Sequence, residues 1–213
     1  CIYYSKSLLR DGENMYMECF LVIVLLVLFT IPGFCSGIGD SGFRLETESG
    51  NMKFYTNNKL LNDTSGSFWA VETDSGTISS ADSHNITTKS AQNGDLIISG
   101  NAGDIDWTAK CERLFASSVT VTVKLKPTRP MELRRIMLFN CKSSLDSIIA
   151  KTGLQDIAVF YRDRDNGMFA SLDFPYSKIL EKDGVKSISY PPYIKLKANQ
   201  EYTCHSLTIG VTR

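Results

Sequence analysis

The sequence contains only two histidines, His84 and His205, in 213 residues. Neither lies in a Cys/His spacing that is typical of a zinc site, and one histidine in each half leaves no plausible base for a catalytic triad. The formal net charge is zero, whereas a dedicated nucleic-acid binder would show a strong basic excess. We therefore expect no catalytic residue, metal ligand, cofactor or nucleic-acid partner.

One glycine-rich stretch matches the sequence patterns of two functional motifs. Residues 37–42 satisfy the dinucleotide pattern G-x-G-x-x-G, and residues 39–42 read Gly-Asp-Ser-Gly, as around a trypsin-like nucleophile. The first motif must follow a buried strand and open a helix, and the second needs His and Asp partners. Only an apolar leader precedes this stretch, so we assign it neither function.

The sequence has a single long apolar run, Cys19 to Phe34, after Met15 and before the small residues Ser36 and Gly37. The run is shorter than the ~20 residues of a typical membrane span, and small residues at its end favour a secretory signal peptide. We predict a signal peptide over 15–37, with cleavage near Cys35 or Gly37, and treat 1–14 as an unstructured upstream stretch. A short membrane anchor is the alternative.

The rest of the chain shows short β-rich runs between turn signals and no long helical periodicity. Val119, Val121, Val123 and Leu125 alternate with polar residues, which is the period-two pattern of a strand with one buried face. The only candidate helix is 143–151. The predicted strands are 42–47, 52–56, 67–73, 96–99, 107–112, 118–126, 133–141, 157–162, 168–172, 185–189, 193–196 and 202–210. The predicted fold class is therefore all-β.

Two prolines, Pro127 and Pro130, divide this β-rich region. Neither can donate to a sheet ladder, and each biases the preceding residue toward extended geometry. This pattern indicates a short linker and predicts two domains, 38–127 and 128–213. Only nine residues follow Cys204, so we expect the second domain to be incomplete at its C-terminus.

The second half carries Cys141 at the end of one strand and Cys204 in another, with Tyr202 two residues before Cys204. This arrangement resembles that of the immunoglobulin superfamily, in which such cysteines form an inter-sheet disulfide and a Tyr precedes the second one. The resemblance implies two tandem immunoglobulin-like β-sandwich domains and a Cys141–Cys204 bridge. The core Trp of the family is missing here, and Phe160 or Tyr161 is its substitute.

The first half resembles the same family less closely. Trp69 occupies the position of the core Trp, and the first cysteine is replaced by an apolar residue, Phe54. Cys111 then has no partner within its domain. An odd number of cysteines after the leader implies a free thiol, an intermolecular bridge or a bridge between domains; a free Cys111 is our first choice, and a disulfide-linked homodimer the second.

Two N-glycosylation sequons begin at Asn62 and Asn85, in polar segments that we interpret as loops. Together with the leader and the immunoglobulin resemblance, they predict a secreted or cell-surface glycoprotein that recognises an extracellular protein partner and is not an enzyme. Exposed aromatics such as Tyr176, Tyr190 and Tyr193 could anchor that partner. Any membrane attachment would need a tether outside this chain. The alternative is a secreted β-sandwich carrier of a lipid or small hydrophobe.

Overall fold

The structure, a computed structural model, describes residues 36–39, 43–48, 51–64, 67–141, 146–152, 155–163 and 166–212. The upstream stretch and the predicted signal peptide up to Cys35 lie outside the described residues. Among the described residues no helix is long and apolar enough to cross a membrane.

The described residues form β-strands and one 3₁₀ turn, Ser80–Asp82. The strands are β1 (Ser36–Gly39), β2 (Arg44–Glu48), β3 (Asn51–Thr56), β4 (Lys59–Asp63), β5 (Trp69–Thr73), β6 (Gly76–Ser79), β7 (Ser83–Ser90), β8 (Leu96–Ala102), β9 (Ile105–Phe115), β10 (Ser118–Pro127), β11 (Met131–Cys141), β12 (Asp146–Thr152), β13 (Gln155–Asp163), β14 (Asn166–Leu172), β15 (Lys178–Lys182), β16 (Val185–Tyr190), β17 (Ile194–Leu196), β18 (Tyr202–Thr203) and β19 (Leu207–Thr212). The predicted all-β class is confirmed.

The strands pair antiparallel in three sheets. The nine-stranded sheet has the order β12-β13-β14-β19-β10-β9-β8-β7, with β18 also paired to β10. The six-stranded sheet has the order β15-β16-β11-β5-β6, with β17 also paired to β11, and the four-stranded sheet runs β1-β2-β3-β4. Together they make a β-sandwich-like architecture whose inner faces share one cluster of buried side chains.

Strand β10 shows why these sequences form sheets. Val119, Val121, Val123 and Leu125 are at most 1% exposed, while the polar residues between them are half-buried or exposed. The alternation in the sequence therefore corresponds to an inner and an outer face, as predicted.

Two tryptophans connect the larger sheets across the core. Trp69 of β5 and Trp107 of β9 meet edge to face, with ring centroids 5.8 Å apart. Trp69 is fully buried, and the Nε1–H of Trp107 donates to Ser83 Oγ over 2.9 Å. Such aromatic pairs stabilise a core beyond the area that they bury.

The segment that could have been a helix, 143–151, contributes strand β12 instead. Residues 146–152 pair in continuous register with β13, from Asp146 opposite Tyr161 to Thr152 opposite Gln155. Pairing along a seven-residue edge overrides the weak helical spacing of a short apolar segment.

The two predicted halves are joined in the structure. Strand β10, from the first half, pairs with β18 and β19 from the second, and β5 of the first half pairs with β11 of the second. Cys35–Arg213 forms one compact unit. The two prolines lie at the connection between β10 and β11, and the adjacent Thr128 N–H donates to Asp104 O over 2.8 Å.

The three cysteines of the described residues, Cys111, Cys141 and Cys204, are all buried thiols, so the expected Cys141–Cys204 bridge is not formed in the structure. Cys141 of β11 lies opposite Lys186 in the six-stranded sheet. Cys204 interacts with the side chain of Tyr190. Tyr190 lies opposite Ile136 of β11, which precedes Cys141 by five residues. That offset along β11 is about 16 Å, whereas bridged Cα atoms lie less than about 7 Å apart.

The packed antiparallel sheets support a β-sandwich-like fold. An immunoglobulin domain divides seven to nine strands between two sheets. Because this chain has three sheets, the immunoglobulin arrangement is not confirmed. Phe54 is fully buried and Tyr202 half-buried. Phe160 belongs to β13, but its side chain lies outside the described part. Both sequons lie in strands rather than loops: Asn62 in β4 and Asn85 in β7.

Candidate functional site: an aromatic cleft on the six-stranded sheet

A cleft of about 450 Å³ opens on the outer face of the six-stranded sheet. In β16, Ile188 and Tyr190 belong to the core, so the alternating Ser189 lies on the other face of the sheet, where it is still buried. Its hydroxyl donates to Lys178 O on β15 over 3.2 Å. The cleft is lined by Arg135, Phe174, Tyr176, Lys178, Leu180, Ser189, Pro191 and Tyr193, and we call it the aromatic cleft.

Tyr193 projects from a strained backbone at one side of the cleft. Its φ is 46°, in the left-handed region, which is a genuine outlier for a bulky side chain. The conformation costs on the order of 1–3 kcal/mol. It sits between the Pro191-Pro192 pair and β17, whose Ile194 pairs with Leu133. The result is a ring that is 74% exposed at the end of an otherwise fixed segment.

The ring of Tyr176 packs on a series of aromatic rings that continues into the core. Tyr176 is 58% exposed and contacts Phe174 with centroids 5.9 Å apart. Phe174 packs against the rings of Tyr190 and His205 at 5.2 and 4.7 Å. His205 also meets Tyr190 edge to face, and its backbone N–H donates to the Tyr190 hydroxyl over 3.2 Å. The exposed ring therefore rests on a rigid base.

Three titratable groups beneath the cleft, Tyr190, Tyr202 and Cys204, stay protonated at neutral pH. Burial raises the pKa of Tyr190 and of Tyr202, whose hydroxyls lie 3.5 Å apart. Burial also raises the pKa of Cys204 to about 12. These groups can donate hydrogen bonds, but at neutral pH none of the three supplies an anion or an activated nucleophile.

The charged residues of the aromatic cleft are both basic. Arg135 Nη1 lies 3.2 Å from Glu72 Oε1, with both side chains about 40% exposed, and Lys178 is also exposed. Because these groups are well solvated, the ion pair adds little stability, and its N–H groups remain close to the surface where a ligand could reach them.

A second cleft of about 550 Å³ continues along the same sheet face and shares Arg135 and Leu180 with the aromatic cleft. Its lining includes Ala70, Met137 and Ser187, which face outward from β5, β11 and β16. The small side chains of Ala70 and Ser187 leave a trough between the charged side chains. The face therefore offers room for an extended ligand that crosses the strands.

The three tyrosines that were predicted as anchors differ in their exposure to solvent. Tyr176 and Tyr193 are exposed, but Tyr190 is 1% exposed, because its position in β16 faces the core. Sequence reasoning missed Arg135, although two consecutive arginines break the alternation of β11. The structure has a register shift between Leu133 and Arg135 at this point, and such a bulge redirects side chains.

The remaining candidates from the sequence lie away from this site. Cys111 faces the core of the nine-stranded sheet, opposite Leu96 and Val121, and burial raises its pKa to about 12. His84 is exposed on β7. In the described part of the chain, no group of three or more His, Cys, Asp or Glu residues could hold a metal ion.

No protein-family profile matches the sequence, and no curated protein matches it significantly. Solved structures do share its fold. The chain is similar to the heparan sulfate lyase HepC from Pedobacter heparinus, with a TM-score of 0.54 and 10% sequence identity over 85% of this chain. A mutant of the same lyase gives a TM-score of 0.53, also at 10% identity over 85% of this chain.

The similarity covers 37% of the lyase chain in both structures. This chain therefore spans little more than a third of the length of the solved proteins that it resembles. At 10% identity the likeness is one of fold, and it supports the all-β, sandwich-like architecture described above.

Proposed function

We propose that this chain is a non-catalytic, extracellular recognition module that binds a carbohydrate chain in the aromatic cleft. The observation that carries the proposal is the presence of two exposed tyrosines, Tyr176 and Tyr193, in the lining of a cleft of about 450 Å³. That volume lies within the range of small-molecule sites.

The chemistry of the cleft suits a sugar. A sugar ring presents an apolar face of C–H bonds and a rim of hydroxyls. Tyrosine rings offer flat apolar surfaces with a polar tip, and Arg135 and Lys178 offer N–H donors that hydroxyl oxygens accept. The neighbouring cleft would take further sugars of the same chain along the sheet face.

The proposal of binding without catalysis agrees with the protonated state of Tyr190, Tyr202 and Cys204 beneath the cleft. The apolar run and the sequons of the sequence support the proposed secreted or cell-surface location. The fold likeness to part of a heparan sulfate lyase is compatible with carbohydrate as the ligand class.

Binding of an extracellular protein is a second candidate, favoured by a different surface. Leu114 and Phe115, at the tip of the β9–β10 hairpin, are 49% and 68% exposed, and apolar tips of this kind can anchor protein interfaces. The lipid-carrier alternative lacks comparable support, since neither cleft of the six-stranded sheet is lined mainly by Ile, Leu and Phe.

The test is a binding screen of the full-length protein, secreted from eukaryotic cells, against immobilised neutral, carboxylated and sulfated polysaccharides. Wild type should bind at least one class. The double variant Tyr176→Ala/Tyr193→Ala should lose most of that binding, because each aromatic contact is worth about 0.5–1.5 kcal/mol. Phe115→Ala, which removes an equally exposed ring elsewhere, should bind as wild type does.

The result that contradicts the proposal is equally specific. If wild type binds no polysaccharide, or if the double tyrosine variant retains full binding, the cleft is not a carbohydrate site. Loss of binding in Phe115→Ala alone would move the recognition surface to the hairpin tip.

A further inference from the structure

A separate polar groove lies on the outer face of the nine-stranded sheet. It has a volume of about 270 Å³ and crosses β7, β8, β9 and β10. Its lining is Asn85, Ser99, Gly100, Asn101, Asp106, Trp107, Thr108, Lys124, Lys126 and Glu201. Because most of these side chains carry hydrogen-bonding groups, the groove suits a ligand rich in hydroxyl and amide groups rather than an apolar one.

The backbone turns Asn85 toward this groove. Strand β7 shifts register against β8 between His84 and Thr87, and Asn85 adopts φ 54°, a left-handed conformation that Asn tolerates. Its Nδ2–H donates to Asn101 Oδ1 over 3.4 Å. The side-chain amide of Asn101 in turn donates to Asp106 Oδ1 over 2.6 Å. The exposed amide nitrogen of Asn85 therefore lies at the entrance to the groove.

We propose that the first sugar of an N-linked glycan on Asn85 lies in this groove, with its acetamido and hydroxyl groups bonded to the groove's side chains. Asn85, Ile86 and Thr87 form a sequon. In the transfer, Asn85 Nδ2 bonds to C1 of an N-acetylhexosamine and releases one amide proton. The C1–O bond of the lipid-linked pyrophosphate donor breaks, and its electron pair leaves with the pyrophosphate. One N–H remains on Nδ2.

The groove contains both hydrogen-bond donors and hydrogen-bond acceptors for such a sugar. Lys124 Nζ and Glu201 Oε1 form an exposed ion pair at 2.8 Å along one wall, and Lys126 adds a second cation. Thr108 on β9 adds a hydroxyl. Ammonium groups donate to sugar oxygens, and carboxylates accept from hydroxyls and from the acetamido N–H.

The position also gives the glycan a structural role. Strand β7 is the last strand on its side of the nine-stranded sheet, and an uncovered edge can pair with another chain. The first sugar lies over the face of β8–β10, so the sugars that follow it are the part of the glycan that can shield that edge. This role is independent of the aromatic cleft, which lies on the six-stranded sheet.

The experiment measures enzymatic release of the Asn85 glycan from the folded, secreted, full-length protein, followed by glycopeptide mass spectrometry. The variant Lys124→Ala/Lys126→Ala/Glu201→Ala should release it about three- to tenfold faster than wild type, as expected for the loss of one or two net hydrogen bonds. The matched control, Lys53→Ala/Glu48→Ala, removes a 2.6 Å ion pair on the four-stranded sheet and should leave the rate unchanged.

Two results would overturn the inference: an unmodified Asn85 in the secreted protein, or equal release rates in wild type and the groove variant. Neither result bears on the aromatic cleft. Conversely, Asn85→Gln should leave polysaccharide binding by the cleft unchanged, so the two proposals fail separately.

Discussion

The rings of Phe54 and Phe139 lie 5.5 Å apart, one from each half of the chain that the sequence divides at its proline pair. Phe54 is on β3 of the four-stranded sheet, and Phe139 is on β11 of the six-stranded sheet. Phe139 reaches this contact because a register shift follows Leu138 and its own φ is 58°. The contact therefore joins two sheets and both halves in one core.

Phe54→Ala should destabilise the whole unit by about 3–5 kcal/mol, because it removes a fully buried ring and leaves a cavity. Denaturant unfolding monitored by tryptophan fluorescence and by circular dichroism should show one transition that moves to lower denaturant with both probes. Phe115→Ala, at an exposed site, should shift it little. Two transitions, of which only one moves, would support the predicted division into separate domains.

Tyr193 provides a test of stored backbone strain. Its left-handed φ favours glycine, so Tyr193→Gly should be more stable than Tyr193→Ala by about 1 kcal/mol. Ordinarily glycine is the less stable of the two, since it loses more entropy on folding. Chemical denaturation of both variants measures the difference, and a more stable alanine variant would show that the strain is absent.

The three described cysteines should behave as buried thiols. In the folded protein, Cys111, Cys141 and Cys204 should resist alkylation, and all three should react after unfolding without a reductant. Peptide mapping by mass spectrometry distinguishes this outcome from the disulfide that the immunoglobulin resemblance implies. A Cys141–Cys204 linked peptide would contradict the positions of Cys141 at the end of β11 and of Cys204 after β18.

Alkaline pH should destabilise the protein through two of these thiols, Cys111 and Cys204. Burial raises the pKa of Cys111 from 9.0 to about 12, so the folded state holds a proton that the unfolded state loses. The stability is complete below about pH 9 and falls as the pH rises toward 12, by about 1.4 kcal/mol per pH unit for each such thiol.

Chemical denaturation between pH 7 and pH 11 measures this slope. Cys111→Ala should lower the free energy of unfolding at pH 7. Above pH 9, however, the free energy of unfolding of this variant should fall less steeply than that of wild type, by about 1.4 kcal/mol per pH unit. An unchanged slope would show that Cys111 does not titrate as a buried group. Cys204, Tyr190 and Tyr202, whose pKa values burial also raises, should supply the remaining slope.

Much of the strand content follows from local sequence. All twelve predicted segments contain strand residues, and β10 is predicted almost to its ends because its apolar residues alternate. The strands that were missed include β6 and β7, whose residues are mostly exposed or half-buried. Edge strands of this kind bury little on either face, so no period-two pattern marks them.

The organisation of the sheets could not be predicted in the same way. The pairing of β10 with β19 joins residues about ninety positions apart, and nothing in either segment specifies its partner. The aromatic cleft shows the same limit. Tyr176 and Tyr193 could be nominated from composition, but Arg135 and Phe174 join them only through the bulge in β11 and the ring stack beneath Tyr176.

The most direct test of carbohydrate binding in the aromatic cleft is a calorimetric titration. The polysaccharide found in the binding screen is titrated into wild type, Tyr193→Phe and Tyr193→Ala. If the ring stacks on a sugar, Tyr193→Phe should bind within about twofold of wild type, and Tyr193→Ala should bind up to about tenfold more weakly. Equal dissociation constants for Tyr193→Ala and wild type would contradict the assignment of the aromatic cleft as the binding site.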